Sequence, residues 1–65
     1  MKTFGGNIRT YRQLKKLSQK KLGELLGFSA RTISDWECGN TEPDITTVKA
    51  IVKVLEVSLD ELFDF

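Results

Sequence analysis

Apolar residues along this chain recur at helical spacings, and short polar residues or Gly punctuate them. Phe4, Ile8, Tyr11 and Leu14 lie four and three apart, which predicts a first helix from about Gly6 to Lys16. Leu22, Leu25 and Leu26 form the apolar face of a second helix, with Ser18 placed to cap its start and Gly27 its end. Ser29 caps a third helix whose apolar residues are Ile33 and Trp36. The turn between the second and third helices is only Gly27-Phe28. Apolar pairs flank both caps in staple positions, Leu17 with Leu22 and Phe28 with Ile33, and fix how the chain enters each helix.

After Gly39, the stretch Asn40-Thr-Glu-Pro43 reads as a connector, and Asp44 as the cap of a fourth helix. The β-branched residues of Ile45-Thr-Thr-Val48 and Ile51-Val-Lys-Val54 also suit a strand. Periodicity favours a helix, since one helical face collects Ile45, Val48, Ile51, Val52 and Leu55 whereas strict alternation does not. Ser58-Leu-Asp-Glu61 is a complete capping box, with Val57 and Leu62 as its staple, and predicts a short fifth helix from about Leu59. The expected fold class is therefore all-α, with five helices and a single domain over residues 1–65. Its second and third helices are short and tightly joined, the arrangement of a helix-turn-helix whose second member can lie in a major groove.

Composition narrows the function classes. The chain has 65 residues, one Cys and no His, which excludes an internal disulfide and leaves no plausible zinc site. No cofactor is expected. There is no apolar run of membrane-spanning length, and Met1-Lys-Thr-Phe-Gly-Gly6 lacks the apolar stretch of a secretory signal, so a cytoplasmic location is the expectation. An enzyme is the poorest reading, for want of a nucleophile with its base, a phosphate-binding Gly loop or a metal cluster. The net charge of +1 conceals a split: residues 1–38 hold eight basic and three acidic side chains, a net of +5, and residues 39–65 hold two basic and six acidic, a net of −4. A basic half that coincides with the helix-turn-helix suits docking on phosphates in one orientation.

Base edges are read by outward side chains near the start of the second helix of such a motif, here Ala30, Arg31, Ser34 and Asp35 on helix 30–38. Arg31 can donate two parallel bonds to guanine O6 and N7, or merely neutralise a phosphate. Ala30 suits a thymine methyl. Asp35 can accept from cytosine N4 or repel the wrong register; the alternative is a solvated or Arg-paired carboxylate. Gln19, in the first turn of helix two where free N–H groups favour an anion, is a candidate phosphate contact; the alternative is a solvent-facing first-turn polar residue. Lys20, Thr32, Asn40 and Thr41 are further backbone-contact candidates, with Lys20 and Lys21 alternatively steering charges only. Trp36 reads as core rather than as a stacking platform. Cys38 has no partner for chemistry.

The words Leu17-Ser-Gln19, Gly27 at the turn, Thr32-Ile-Ser-x-Trp-Glu37 and Gly39 resemble the Xre class of helix-turn-helix repressors, the class of phage lambda repressor and Cro. The resemblance extends from Ile8-Arg-x-x-Arg12 through Glu42-Pro43 to Val57-Ser-Leu-Asp-Glu-Leu62. It implies a five-helix lambda-repressor-like domain, a phosphate-clamp role for Gln19, and a structural ion pair between Arg12 and Glu37 across helices one and three. Glu56 departs from the family, which usually has Gly there because the left-handed residue after a helix is least costly as Gly, and this puts the end of helix four in question.

The leading expectation is a sequence-specific transcriptional regulator, a repressor that binds a palindromic site in double-stranded DNA as a weak homodimer, because one small module reads too few base pairs. The self-contact is placed at Leu62, Phe63 and Phe65; the alternative is that Phe63 closes the core and Phe65 frays. A second class stays open: a protein-interaction module such as an antitoxin, or the DNA-binding fragment of a larger regulator, with an unknown protein partner.

Overall fold

Every helix among the described residues begins where a short polar side chain accepts the backbone N–H three residues on. The computed structural model describes residues 3–64. Within them Thr3, Ser18, Ser29, Asp44 and Ser58 cap α1 (Phe4–Leu14), α2 (Gln19–Leu26), α3 (Ala30–Cys38), α4 (Ile45–Leu55) and α5 (Leu59–Leu62) in this way. No helix among the described residues is long and apolar enough to cross a membrane. The capping box at Ser58 and Glu61 is complete, each residue bonding the backbone N–H of the other.

The first helix differs from its expected span at both ends. It starts earlier because the Thr3 hydroxyl accepts from the Gly6 N–H at 3.0 Å. It stops at Leu14 because Lys16 turns left-handed (φ 57°), and the Leu17 N–H then closes the helix on the Arg12 carbonyl at 3.1 Å. The fourth element is a helix throughout, as its periodicity predicts. Glu56 takes the left-handed position after it (φ 57°) despite its Cβ.

Ile8, Leu22, Ile33, Trp36, Val48, Ile51, Leu55 and Leu62 form one buried cluster, so every helix contributes to the same core. Three leucine and isoleucine assignments need correction. Leu14 is 71% exposed, because the buried stripe of α1 runs through Gly5, Ile8 and Arg12 and Leu14 lies about 120° round the helix from Ile8. Leu25 is exposed because α2 turns Gly23 and Leu26 inward instead. Ile45, 64% exposed, sits in the first turn of α4 at the rim of the core. Leu62 is fully buried, which removes it from any surface contact with a second copy. Phe65 lies outside the described residues.

Asn7 secures the C-terminal end. This buried amide donates to the carbonyls of Leu62 at 2.9 Å and Asp64 at 3.0 Å, tying α5 back to α1.

Candidate nucleic-acid interface

The join between α2 and α3 is set by two glycines. Gly27 adopts a left-handed conformation (φ 84°), and the N–H groups of Gly27 and Phe28 both donate to the Gly23 carbonyl at 2.8 Å. Gly23 is needed for proximity rather than for its dihedrals. A Cβ there would lie 2.4 Å from the Phe28 carbonyl oxygen, so only Gly lets the end of the turn settle against α2. Gly5 does the same for α1 and α3, where a Cβ would meet the Trp36 carbonyl oxygen at 2.2 Å.

Ile33 and Trp36 anchor α3 in the core. The Trp36 indole meets Phe28 edge-on at 5.0 Å, which makes it a packing residue, as expected, and covers one face of the turn. The opposite face carries the candidate base readers. Arg31 has 86% of its side chain exposed. Ala30 and Ser34 are half-buried beside it. Asp35 is only 27% exposed and is not solitary: its Oδ1 lies 3.5 Å from Arg31 Nε and accepts from Asn40 Nδ2 at 3.4 Å. Its carbonyl accepts the N–H groups of Asn40 at 2.9 Å and Thr41 at 3.4 Å. The structure thus brings Arg31, Asp35, Asn40 and Thr41 into one connected strip along α3 and the loop beyond it.

Behind this strip, Glu37 receives three hydrogen bonds. Arg12 Nε donates to Oε2 at 2.6 Å and Arg12 Nη2 to Oε1 at 3.0 Å, a two-pronged pair, while Gln19 Nε2 donates to Oε1 at 3.1 Å. The remaining Arg12 nitrogen, Nη1, holds the Leu17 carbonyl at 2.8 Å. One carboxylate therefore fixes α1, the entry to α2 and the C-terminal half of α3 together. Gln19 turns its amide nitrogen toward this scaffold, so its outward contribution rests on its amide oxygen and on the first-turn N–H groups of α2, which have no partner within the helix. Thr32 shares a hydrogen bond with Ser29 at 3.1 Å, and Lys20 is exposed.

Two carboxyl groups elsewhere are held below their ordinary range. Glu56 is lowered by a hydrogen bond and then by charge attraction from Lys15, an ion pair between the ends of α4 and α1. Asp44 is lowered by hydrogen bonds from the Thr47 hydroxyl and backbone N–H. Among the described residues no group of acidic or Cys side chains could hold a metal ion.

Sequence reasoning missed Gly5, Gly23, Asn7 and the Asp35–Asn40 contact. The first two carried a signal, since a Gly inside a helical pattern points to close backbone approach. Asn7 and Asn40 carried none, because an amide side chain does not reveal from sequence which distant group it meets.

Comparison with known proteins agrees with this geometry. A family model described as helix-turn-helix matches residues 8–62. Repressor protein C2 of Salmonella phage P22 is 40% identical over 59 residues, covering 91% of this chain and 27% of C2. The uncharacterized HTH-type transcriptional regulator YqaE of Bacillus subtilis is 37% identical, covering 91% of this chain and 51% of YqaE, so the chain spans about half the length or less of these two relatives. The crystal structure of the P22 c2 repressor in complex with a synthetic operator superposes with a TM-score of 0.89 at 36% identity, covering 98% of this chain and 97% of that one. With the family pattern spanning α1 through α5 and the same five-helix arrangement in a solved repressor, the chain belongs to the Xre-type helix-turn-helix family of DNA-binding transcription regulators.

Proposed function

We propose that this chain is the DNA-reading domain of a sequence-specific transcription regulator, a repressor in its default role, that docks α3 in the major groove and binds a two-fold symmetric site as a pair. The observation that carries the reading is the outer strip of α3, where an exposed Arg31 stands on a helix whose other face is locked into the core. That a repressor of the same fold was crystallised on a synthetic operator supports it.

In this reading Arg31 contacts a guanine edge, and Ala30 and Ser34 pack near neighbouring bases. Gln19 with the first turn of α2, together with Lys20, Thr32, Asn40 and Thr41, positions the domain on the backbone. The pairing surface centres on Phe63. Its ring stacks on Phe4 at 4.8 Å, beside an apolar hollow of about 340 Å³ lined by Phe4, Pro43, Ile45, Val48 and Phe63 with Glu42 at its edge. A contact of this size suits copies that pair mainly on DNA, where the second binds at high effective concentration.

Selection from randomised duplexes tests the assignment. Arg31→Ala is expected to lower affinity for the wild-type consensus by about 1 to 3 kcal/mol and to relax choice at one base position in each half-site. Gln19→Ala is expected to weaken binding to all sequences with the consensus intact. Uniform weakening by Arg31→Ala would make it a phosphate contact instead.

A further inference from the structure

We propose that Asp35 is a positioning residue: it aims Arg31 at its base instead of reading a base itself, and it links that aim to the loop after α3. This rests on the DNA-reading function proposed above.

The geometry separates the two side chains by their freedom. Arg31 is 86% exposed and Asp35 27% exposed, so the carboxylate is the fixed partner and the guanidinium the movable one. On the loop side Asn40 Nδ2 donates to Oδ1 at 3.4 Å, while the Asn40 and Thr41 N–H groups tie the loop to the Asp35 backbone carbonyl. Its approach to Arg31 is through Nε at 3.5 Å. That leaves both terminal nitrogens of the guanidinium unused, and those are the two that reach O6 and N7 of a guanine approached end-on. An unrestrained Arg gives up rotamer freedom when it is held in one geometry. A partner one turn along the helix restricts it before DNA arrives, which lowers the ordering cost at binding.

Charge points the same way. A carboxylate set alone among phosphates opposes docking, whereas one paired with Arg31 presents no net charge to them. In free protein such an exposed pair contributes little. In a groove from which water is displaced the same pair is stronger. The effect of Asp35 should therefore show in DNA selectivity and not in folding. The link through Asn40 and Thr41 also joins a backbone contact by the loop and a base contact by Arg31 at one residue, Asp35.

The experiment is equilibrium titration and randomised-duplex selection with wild type, Asp35→Ala, Asp35→Asn, Arg31→Ala and the Asp35→Ala/Arg31→Ala pair, each checked by thermal melting. Expected for Asp35→Ala is a loss of about fivefold on the preferred site, with choice relaxed at the same base position that Arg31→Ala relaxes and melting unchanged. Asp35→Asn, which retains an acceptor for Asn40 but not the charge, should relax that same position. The double variant should bind no more weakly than Arg31→Ala alone. Relaxation at a different base position, with losses that add in the double variant, would overturn the proposal in favour of direct reading by Asp35. Tighter binding of Asp35→Ala to every duplex in both backgrounds would overturn it in favour of simple repulsion. A wild type with no base preference would overturn the DNA-reading function itself, and this proposal with it.

Discussion

Arg12 uses all three of its guanidinium nitrogens, two on Glu37 and one on the Leu17 carbonyl, and Glu37 keeps only 3% of its side chain exposed. Two charges so far from water attract strongly, but desolvation offsets much of the gain, so the pair contributes more to the mutual orientation of helices than to net stability. Removing one partner is a different matter. Arg12→Ala leaves a buried carboxylate with only Gln19 to bond, and a loss of about 3 to 5 kcal/mol is expected in denaturant unfolding. An unchanged unfolding midpoint with impaired DNA binding would show Arg12 to be a contact residue instead. The pair itself was legible through the family resemblance. Its third and fourth members were not: the Leu17 carbonyl is backbone that sequence does not mark, and the position of Gln19 at a helix start suits an outward anion contact equally well. Asp35 shows the same ambiguity, for its sequence position fits a base reader and an Arg partner alike.

At the scale of elements, caps and staples were readable because each depends on residues only a few positions apart. Helix-to-helix distance is not local, and here it rests on residues without side chains. Gly23→Ala would improve intrinsic helix propensity, yet its methyl would meet the Phe28 carbonyl at 2.4 Å. Backbone cannot swing aside as a side chain can, so a net loss of about 1 to 3 kcal/mol is expected, together with weakened DNA binding as α3 shifts on α2. Unchanged melting would mean that the turn relaxes freely. The end of α4 gives the opposite expectation. Glu56 occupies a left-handed position that Gly fills at less cost, and its compensation is an exposed ion pair with Lys15. Glu56→Gly should melt at or above the wild-type temperature near neutral pH. Because Lys15 holds the Glu56 carboxyl below its ordinary range, the pair's contribution is present above the ordinary carboxylate pKa and is lost as pH falls through the lowered value. The advantage of Glu56→Gly should therefore widen in acid. A variant clearly less stable than wild type at neutral pH would contradict this. Leu14, Leu25 and Ile45 mark where helical periodicity misleads: spacing identifies an apolar face, but which part of it is covered depends on neighbouring helices.

For the whole molecule, the asymmetry of charge maps onto the fold: α1 to α3 lie in the basic half of the chain, and α4 and α5 in the acidic half. The Cα frame measures 26 × 23 × 23 Å. Two recognition helices in successive major grooves on one face of B-DNA lie about 34 Å apart. In the proposed pairing, bodies of this size set at that repeat leave room for a small contact, which the proposal assigns to Phe63. The most direct test of the proposed paired docking is a gel-shift titration with stoichiometry. It compares a palindrome selected by the protein, its half-sites centred about 10 to 10.5 base pairs apart, with a single half-site and with the palindrome lengthened by five base pairs. The expected result is two copies bound cooperatively to the palindrome, one copy bound more weakly to the half-site, loss of cooperativity on the lengthened duplex, and the same loss on the intact palindrome with Phe63→Ser. Equal affinity for all three duplexes with one copy bound to each would contradict it.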